Sequence, residues 1–287
     1  MNVLIADKLS EEVVAALKAL GASVTVNPDL KAEDIPAAIG DAEVLVVRST
    51  KVNGDAIRAG KSLSLIIRAG AGVNTIDLDT ASKLGVYVTN CPGKNTDAVA
   101  ELAIGLMVAC DRRIVEACTE LRAGKWNKKE YQKACGLKGR TLGIIGLGAI
   151  GKAVAARARG MEMNVVAWSR SLTPETAEAL EIGFCATPLE VAKKADVVSV
   201  HLAAGAGTDG LLGGEFFKAM KNNAIFINTA RGEVVDAAAM QQAAKDKGIR
   251  LGLDVFKGEP AAALADFTDK ELAALSVCTP HIGASTD

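Results

Sequence analysis

Short aliphatic runs recur along the whole chain, each separated from the next by a stretch with helical spacing. The first third holds VLIA (3–6), SVTV (23–26), VLVV (44–47), LII (65–67) and VYV (86–88). The rest holds TLGIIGLG (141–148), NVVAW (164–168), DVVSVHL (196–202), AIFINTA (224–230), IRLGLDV (249–255) and LSVCTP (275–280). Runs without polar alternation are strands covered on both faces, and strand–helix repetition of this kind requires parallel sheets flanked by helices. Aromatic residues make up only 3% of a chain that is 49% hydrophobic, so the core has to be built from Ala, Val, Leu and Ile. The second series, six strands with intervening helices, is enough for a complete doubly wound sheet.

Between the runs, SEEVVAALKAL (10–20) reads as a helix opened by a Ser cap and an acidic first turn. A long helix is expected from Asn95–Thr96 to about Gly124. Its first half is apolar almost all round, which calls for burial on several sides, between domains and at a subunit interface. The polar, basic GKWNKKEYQKACGLKGR (124–140) follows as a connector.

A net charge of −1 gives no reason to expect nucleic acid or an anionic membrane as partner. The six cysteines are widely spaced without a Cys-x-x-Cys, so neither a disulfide framework nor a metal site is expected. AVAELAIGLMVAC (98–110) is too short to span a bilayer and contains Glu101, and the N-terminus lacks the basic region of a signal peptide. The expectation is a soluble, cytoplasmic protein.

Gly146-x-Gly148-x-x-Gly151 stands directly after an aliphatic run and opens the helical pattern AIGKAVAARARG. In that context the glycines make a tight turn, let a pyrophosphate approach the backbone and let the helix pack on its strand. The amides of Ala149 and Ile150 then lie at a helix N-terminus, which favours phosphate. NAD binding asks for an acidic residue at the end of the next strand, but VVAWSRS ends in Ser169 and Arg170. A hydroxyl and a guanidinium suit a 2′-phosphate, so NADP(H) is favoured; an arginine merely stacked on adenine would leave NAD(H) usable.

Ligands of such a sheet bind beyond the carboxyl ends of the strands. Arg231 follows AIFINTA, Glu259 follows IRLGLDV and His281 follows LSVCT. Hydride transfer to a 2-keto acid needs such a set. An arginine grips the carboxylate, a histidine moves the proton at the C2 oxygen, and a carboxylate holds that histidine. The bland alternatives are a capping arginine, a surface glutamate and a loop histidine. His201, the other histidine of the chain, is embedded in VVSVHL and reads as a hydrogen-bonded structural residue bordering the cofactor. Thr229 and Ala230 join it as cofactor-side candidates.

LVVRSTKV (45–52), RAGAGVNTIDLDTASKLGVYVTNCPGKNTDAVAE (68–101), LGIIGLGAIG, NTARGEVVD (228–236), LDVFKGEP (253–260) and TPHIGAST (279–286) occur in one order over nearly the whole chain. Together they resemble the D-2-hydroxyacid dehydrogenase family. The resemblance implies an α/β chain of two doubly wound parallel-sheet domains, Rossmann or flavodoxin-like, with a cleft between them. It implies a discontinuous substrate-binding domain, 1–94 plus a return segment at 284–287, and an NAD(P)-binding domain at 95–283. Hinges would lie near 94–96 and 282–284, and a homodimer would form through the cofactor domain. Arg231, Glu259 and His281 would be the catalytic trio. Ala71 and Gly72 would meet the substrate carboxylate with their backbone, Arg48 and Asn95 would reach into the cleft, and Asp254 would lie near the nicotinamide carboxamide.

The chain departs from the family pattern in places. Ala149 replaces a frequent arginine, which removes one phosphate contact, and Ala203 stands where proline is usual. ASTD (284–287) starts like a helix with no helix after it, so a truncated return segment is expected. The implied substrate is a small 2-hydroxy or 2-keto acid, with D-3-phosphoglycerate favoured and glyoxylate or hydroxypyruvate as the alternative. Arg48, Lys51 and Arg68 offer positive charge for a phosphate. A dinucleotide-sensing, corepressor-like interaction protein is the rival of another class, disfavoured by the intact trio.

Overall fold

The aliphatic runs of the first third become β1 (Asn2–Ile5), β2 (Ser23–Val26), β3 (Val44–Val47), β4 (Leu65–Arg68) and β5 (Tyr87–Thr89), all parallel, in the order β2-β1-β3-β4-β5. This is the order of a flavodoxin-like sheet. The computed structural model describes residues 1–260 and 264–286. It divides the chain into two units, Met1–Asn95 and Thr96–Asp287.

In the first unit, Leu4, Leu45, Val47 and Ile66 pack with Ile35, Ile39, Ile57 and Ala81 of the helical segments. Val3, Ile5, Val44 and Val46 form the other face, against Val14 and Leu17 of the helix Glu11–Ala19. Ser10 stands at the N-cap of that helix without the expected side-chain hydrogen bond. Asn53 and Asp77, by contrast, cap Gly54–Ala59 and Leu78–Lys83 by accepting from Ala56 N and Thr80 N.

The second unit holds β6 (Thr141–Ile145), β7 (Asn164–Trp168), β8 (Gly183–Phe184), β9 (Val197–Val200), β10 (Ile225–Asn228), β11 (Arg250–Leu253) and β12 (Ser276–Cys278). Their order is β12-β11-β10-β9-β6-β7-β8. The sheet thus has one strand more than the six runs announced. β8 is two residues long and carries no aliphatic run; its Gly183 lies against Val166 of β7, where a Cβ would fall 2.8 Å from Val166 Cγ1. The order reverses between β6 and β9, which places the ligand-binding crevice of such a sheet at their carboxyl ends.

The long helix expected from 96 to 124 is two helices, Thr96–Arg112 and Ile114–Arg122. Arg113 breaks it by taking a left-handed conformation (φ 51°). Side-chain anchors outweigh the local helical preference here. Arg113 pairs with Glu130 at 2.6 Å and lies over the Tyr131 ring at 4.9 Å. The carbonyls of Cys110 and Asp111 accept from Arg250 Nη1 at 3.0 and 2.9 Å, which satisfies two groups a helix end leaves open. The apolar first half buries Ala98, Val99, Ala100, Ala103, Leu106, Met107 and Cys110, against the helix Ala149–Gly160 and strands β10–β12. Gly252 of β11 permits that approach: a Cβ there would fall 2.5 Å from Ile227 Cδ1 and 3.2 Å from Leu106 Cβ. Segment 124–140 is irregular except for a 3₁₀ turn at Glu130–Gln132. No helix of the described residues is long and apolar enough to cross a membrane. Of the return segment at 284–287, residues 284–286 form no helix and Asp287 lies outside the described residues.

Candidate active site

The glycine turn is built as the sequence predicts. Gly146 has φ +97°, its N–H donates to Trp168 O at 2.8 Å, and a Cβ on it would fall 2.6 Å from His201 O. The ends of β6 and β9 therefore meet at the reversal point with room for glycine alone. Gly151 lies against the Gly146 carbonyl, where a Cβ would run into that oxygen. Gly148 faces open space and precedes the helix Ala149–Gly160, whose N-terminus has no side-chain cap. The first amides there, Ala149 and Ile150 among them, are available to an anion.

Two buried polar atoms near the strand ends have no partner among the described residues: His201 Nδ1 and Thr229 Oγ1. Orphaned groups of this sort carry a desolvation cost that a ligand can relieve. With the uncapped helix and the open space at Gly148, they fit a dinucleotide laid across the end of the sheet. Ser169 and exposed Arg170 follow β7, with no acidic residue at its end. His201 Nε2 bonds Ser199 Oγ at 2.9 Å, and burial pushes its imidazole down to about 4. Ala230 is buried in the turn after β10.

Arg231, Glu259 and His281 follow β10, β11 and β12, which are neighbours in the sheet. His281 Nδ1 and Glu259 Oε2 are 2.6 Å apart. An ionised carboxylate can only accept, so Nδ1–H donates and Nε2 is left for the reacting group. The bond to Glu259 raises the His281 imidazole above its usual value of 6.5; burial and the nearby Arg231 charge oppose this, and Asp254 assists it. For Glu259, burial acts upward and is the largest single influence. It is outweighed by the His281 bond, by Phe256 N–H donating at 2.8 Å and by the charges of His281 and Arg231, so the carboxyl sits below its usual 4.5. Arg231 begins a turn docked on that same loop: Gly232 lies so close to the Phe256–Lys257 peptide that a Cβ would overlap it. The Arg231 guanidinium donates to Ala230 O at 2.6 Å.

Two residues that hold this arrangement carry chemistry the sequence reading did not assign to them. Asp254, 1% exposed, spends both carboxylate oxygens on the histidine segment: Oδ1 accepts from Thr279 Oγ1 (2.6 Å) and Ile282 N (2.8 Å), and Oδ2 from Gly283 N (2.9 Å). Its carbonyl accepts from His281 N at 2.9 Å, which helps to fix His281 in the left-handed region at φ 51°. Asn228, 2% exposed, holds the Arg231 turn through its amide. Its only sequence signal was a polar residue ending the apolar run IFIN.

The remaining candidates belong to the first unit and sit at the ends of β3 and β4 or beyond β5. Arg48, Ser49 and Thr50 donate their amides to Asp7 Oδ2, which leaves the Arg48 side chain exposed. Arg68 Nε donates to Arg48 O at 3.0 Å, joining the two loops, and Lys51 is exposed nearby in sequence. Ala71 and Gly72 are half-buried in the loop after β4, where Asn90 Nδ2 donates to Ala71 O at 2.5 Å. Asn95 is half-buried and closes the unit.

Comparison with known proteins finds relatives for the chain. Residues 104–283 match the family model described as D-isomer specific 2-hydroxyacid dehydrogenase, NAD binding domain. The chain is 38% identical over 291 residues to a D-3-phosphoglycerate dehydrogenase of Methanocaldococcus jannaschii, covering 100% of this chain and 54% of that protein. It is 39% identical over 284 residues to a hydroxypyruvate reductase of Thermotoga maritima, covering 98% and 90%. The crystal structure of the TT0316 protein from Thermus thermophilus superposes with a TM-score of 0.86 at 33% identity, covering 99% of this chain and 90% of that one. The chain spans about half the length of the phosphoglycerate dehydrogenases it matches.

Proposed function

Because the chain belongs to the D-isomer-specific 2-hydroxyacid dehydrogenase family, we propose that it transfers hydride between a nicotinamide cofactor and a D-2-hydroxy acid, with D-3-phosphoglycerate and 3-phosphohydroxypyruvate as the pair. The single observation that carries the chemistry is the 2.6 Å bond between His281 and Glu259 beside the Arg231 turn. A nicotinamide dinucleotide, when bound along Gly146–Gly151, Ser169, Arg170, His201, Thr229 and Ala230, supplies or accepts the hydride. Arg231 grips the substrate carboxylate with its planar fork and polarises the C2 oxygen. In the reductive direction His281 Nε2 gives its proton to that oxygen; in the oxidative direction it takes the proton back. Glu259 fixes the tautomer through Nδ1–H and stabilises the imidazolium. Within the first unit, Arg48, Ala71, Gly72 and Asn95 are the substrate-side candidates, with Lys51 and Arg68 as positive charge for a phosphate.

Ser169 and Arg170 favour NADP(H), with NAD(H) usable. The same pair favours a second reading, a hydroxypyruvate or glyoxylate reductase, to which the hydroxypyruvate reductase likeness also contributes. Ile114, Val115, Leu121 and Trp126 are exposed apolar side chains of the second unit that a homodimer through the cofactor domain would cover. Steady-state kinetics with 3-phosphohydroxypyruvate, hydroxypyruvate and glyoxylate, each with NADH and NADPH, tests these readings. The highest kcat/KM is expected with 3-phosphohydroxypyruvate and NADPH. Hydroxypyruvate or glyoxylate ahead would move the assignment to the reductase, and no turnover of any of the three would leave a dinucleotide-sensing protein.

The pH dependence follows from the His281–Glu259 pair. The folded imidazole titrates above its usual value, so its contribution to stability is fully present below pH 6.5 and is lost as pH rises through the folded value. The folded Glu259 titrates below its usual value, so its share is present above pH 4.5 and is lost as pH falls through the folded value. Reduction needs the imidazolium, so the pair extends activity toward alkaline pH. Glu259→Gln is therefore expected to move the alkaline limb of kcat/KM for reduction to lower pH. A limb that stays in place in that variant would remove Glu259 from this role.

A further inference from the structure

Asn228 ends β10 after Ile225, Phe226 and Ile227, all of them buried. Burying an amide is costly unless it is fully bonded, and nothing in the strand requires one, since the backbone pairs with β9 and β11 regardless of side chain. Its amide is spent on the next turn. Asn228 Nδ2 donates to Arg231 O at 2.9 Å, and Asn228 Oδ1 accepts from Ala230 N at 3.0 Å. The two bonds flank the Ala230–Arg231 peptide and fix its orientation. The Ala230 carbonyl of that same peptide receives the Arg231 guanidinium at 2.6 Å. Asp254 N, at the root of the neighbouring loop, donates to Asn228 O at 3.0 Å.

We propose that Asn228 is a positioning residue for substrate binding: its buried amide sets the direction in which Arg231 presents its guanidinium to the substrate carboxylate. The inference rests on the role given above to Arg231. Asn228 touches no reacting group and acts only through the turn. Without the amide the peptide is free to rotate, and a fork displaced by about 1 Å loses on the order of 100-fold where geometry decides the rate.

The test is a double-mutant cycle on the full chain, with KM and kcat for the keto acid, cofactor Kd and thermal midpoint measured for each variant. Asn228→Ala removes both bonds. Asn228→Leu, branched at the same carbon, removes both bonds without burying a charge or leaving a cavity, so it serves where the alanine variant folds poorly. Either variant is expected to raise KM roughly 10-fold or more while cofactor Kd stays at the wild-type value. In an Arg231→Ala background the same change should leave kcat/KM unaltered. A full additional loss in that background, or a lowered midpoint with unchanged KM, overturns the proposal and leaves Asn228 a structural residue. An Arg231→Ala variant with wild-type kinetics would instead overturn the functional reading on which it rests.

Discussion

Replacing His281 by alanine should lower kcat by about 10²–10⁴, the span general acid–base catalysis supplies, equal to roughly 3–5 kcal/mol of barrier. The 2.6 Å bond to Glu259 raises the imidazole above its usual value and so favours the protonated form that reduction needs. Replacing His201 should leave kcat near the wild-type value and act on stability or cofactor affinity. Burial pushes the His201 imidazole down to about 4, which disfavours the imidazolium that reduction needs, and its buried Nδ1 has no partner among the described residues. Steady-state kinetics and cofactor titration on both variants check the ranking. A His201 variant with the larger fall in kcat would reverse the assignment.

Gly232→Ala is expected to be the most damaging small change in the second unit. A Cβ at that position overlaps the Phe256–Lys257 peptide, and backbone cannot rotate away as a side-chain tip can. Relief requires the Arg231 turn and the Glu259 loop to separate. Forced overpacking of this kind costs about 1–3 kcal/mol and sometimes more, and each kcal/mol lowers the midpoint by roughly 2–4 °C in a domain of this size. Activity should fall with it, because the separating loops carry two members of the trio. Gly148→Ala is the contrasting variant. Its φ of −79° suits alanine and nothing lies within 4 Å of the added Cβ, so folding should be unaffected while cofactor affinity drops. Thermal melts and cofactor titration separate the two, and a Gly232→Ala protein that melts and turns over like the wild type would contradict the described packing.

The inner runs at β3, β9 and β10 announced their strands because strands buried on both faces leave no alternative residue choice, whereas β2 and β5, at the sheet edges, are largely exposed and kept only their β-branched and aromatic character. The glycine turn was legible because only glycine fits Gly146 against His201 O and Gly151 against Gly146 O. β8 was not legible: two residues paired to one neighbour demand no pattern of their own. Nor was the break at Arg113, since helical spacing continues through it and what ends the helix is a set of partners from Glu130, Tyr131 and Arg250.

The sequence by itself determined the parallel α/β architecture, the position of the glycine turn and the three residue types waiting at neighbouring strand ends. Each of these is local, written in the periodicity of a run or the steric needs of a turn. Only the tertiary structure decided how those residues are held. It spent Asp254 on the backbone and threonine that carry His281. It also pressed Gly232 onto the loop of Glu259. These contacts join segments up to 29 residues apart in the chain, and hydrogen bonds over such separations leave no periodic trace in a sequence.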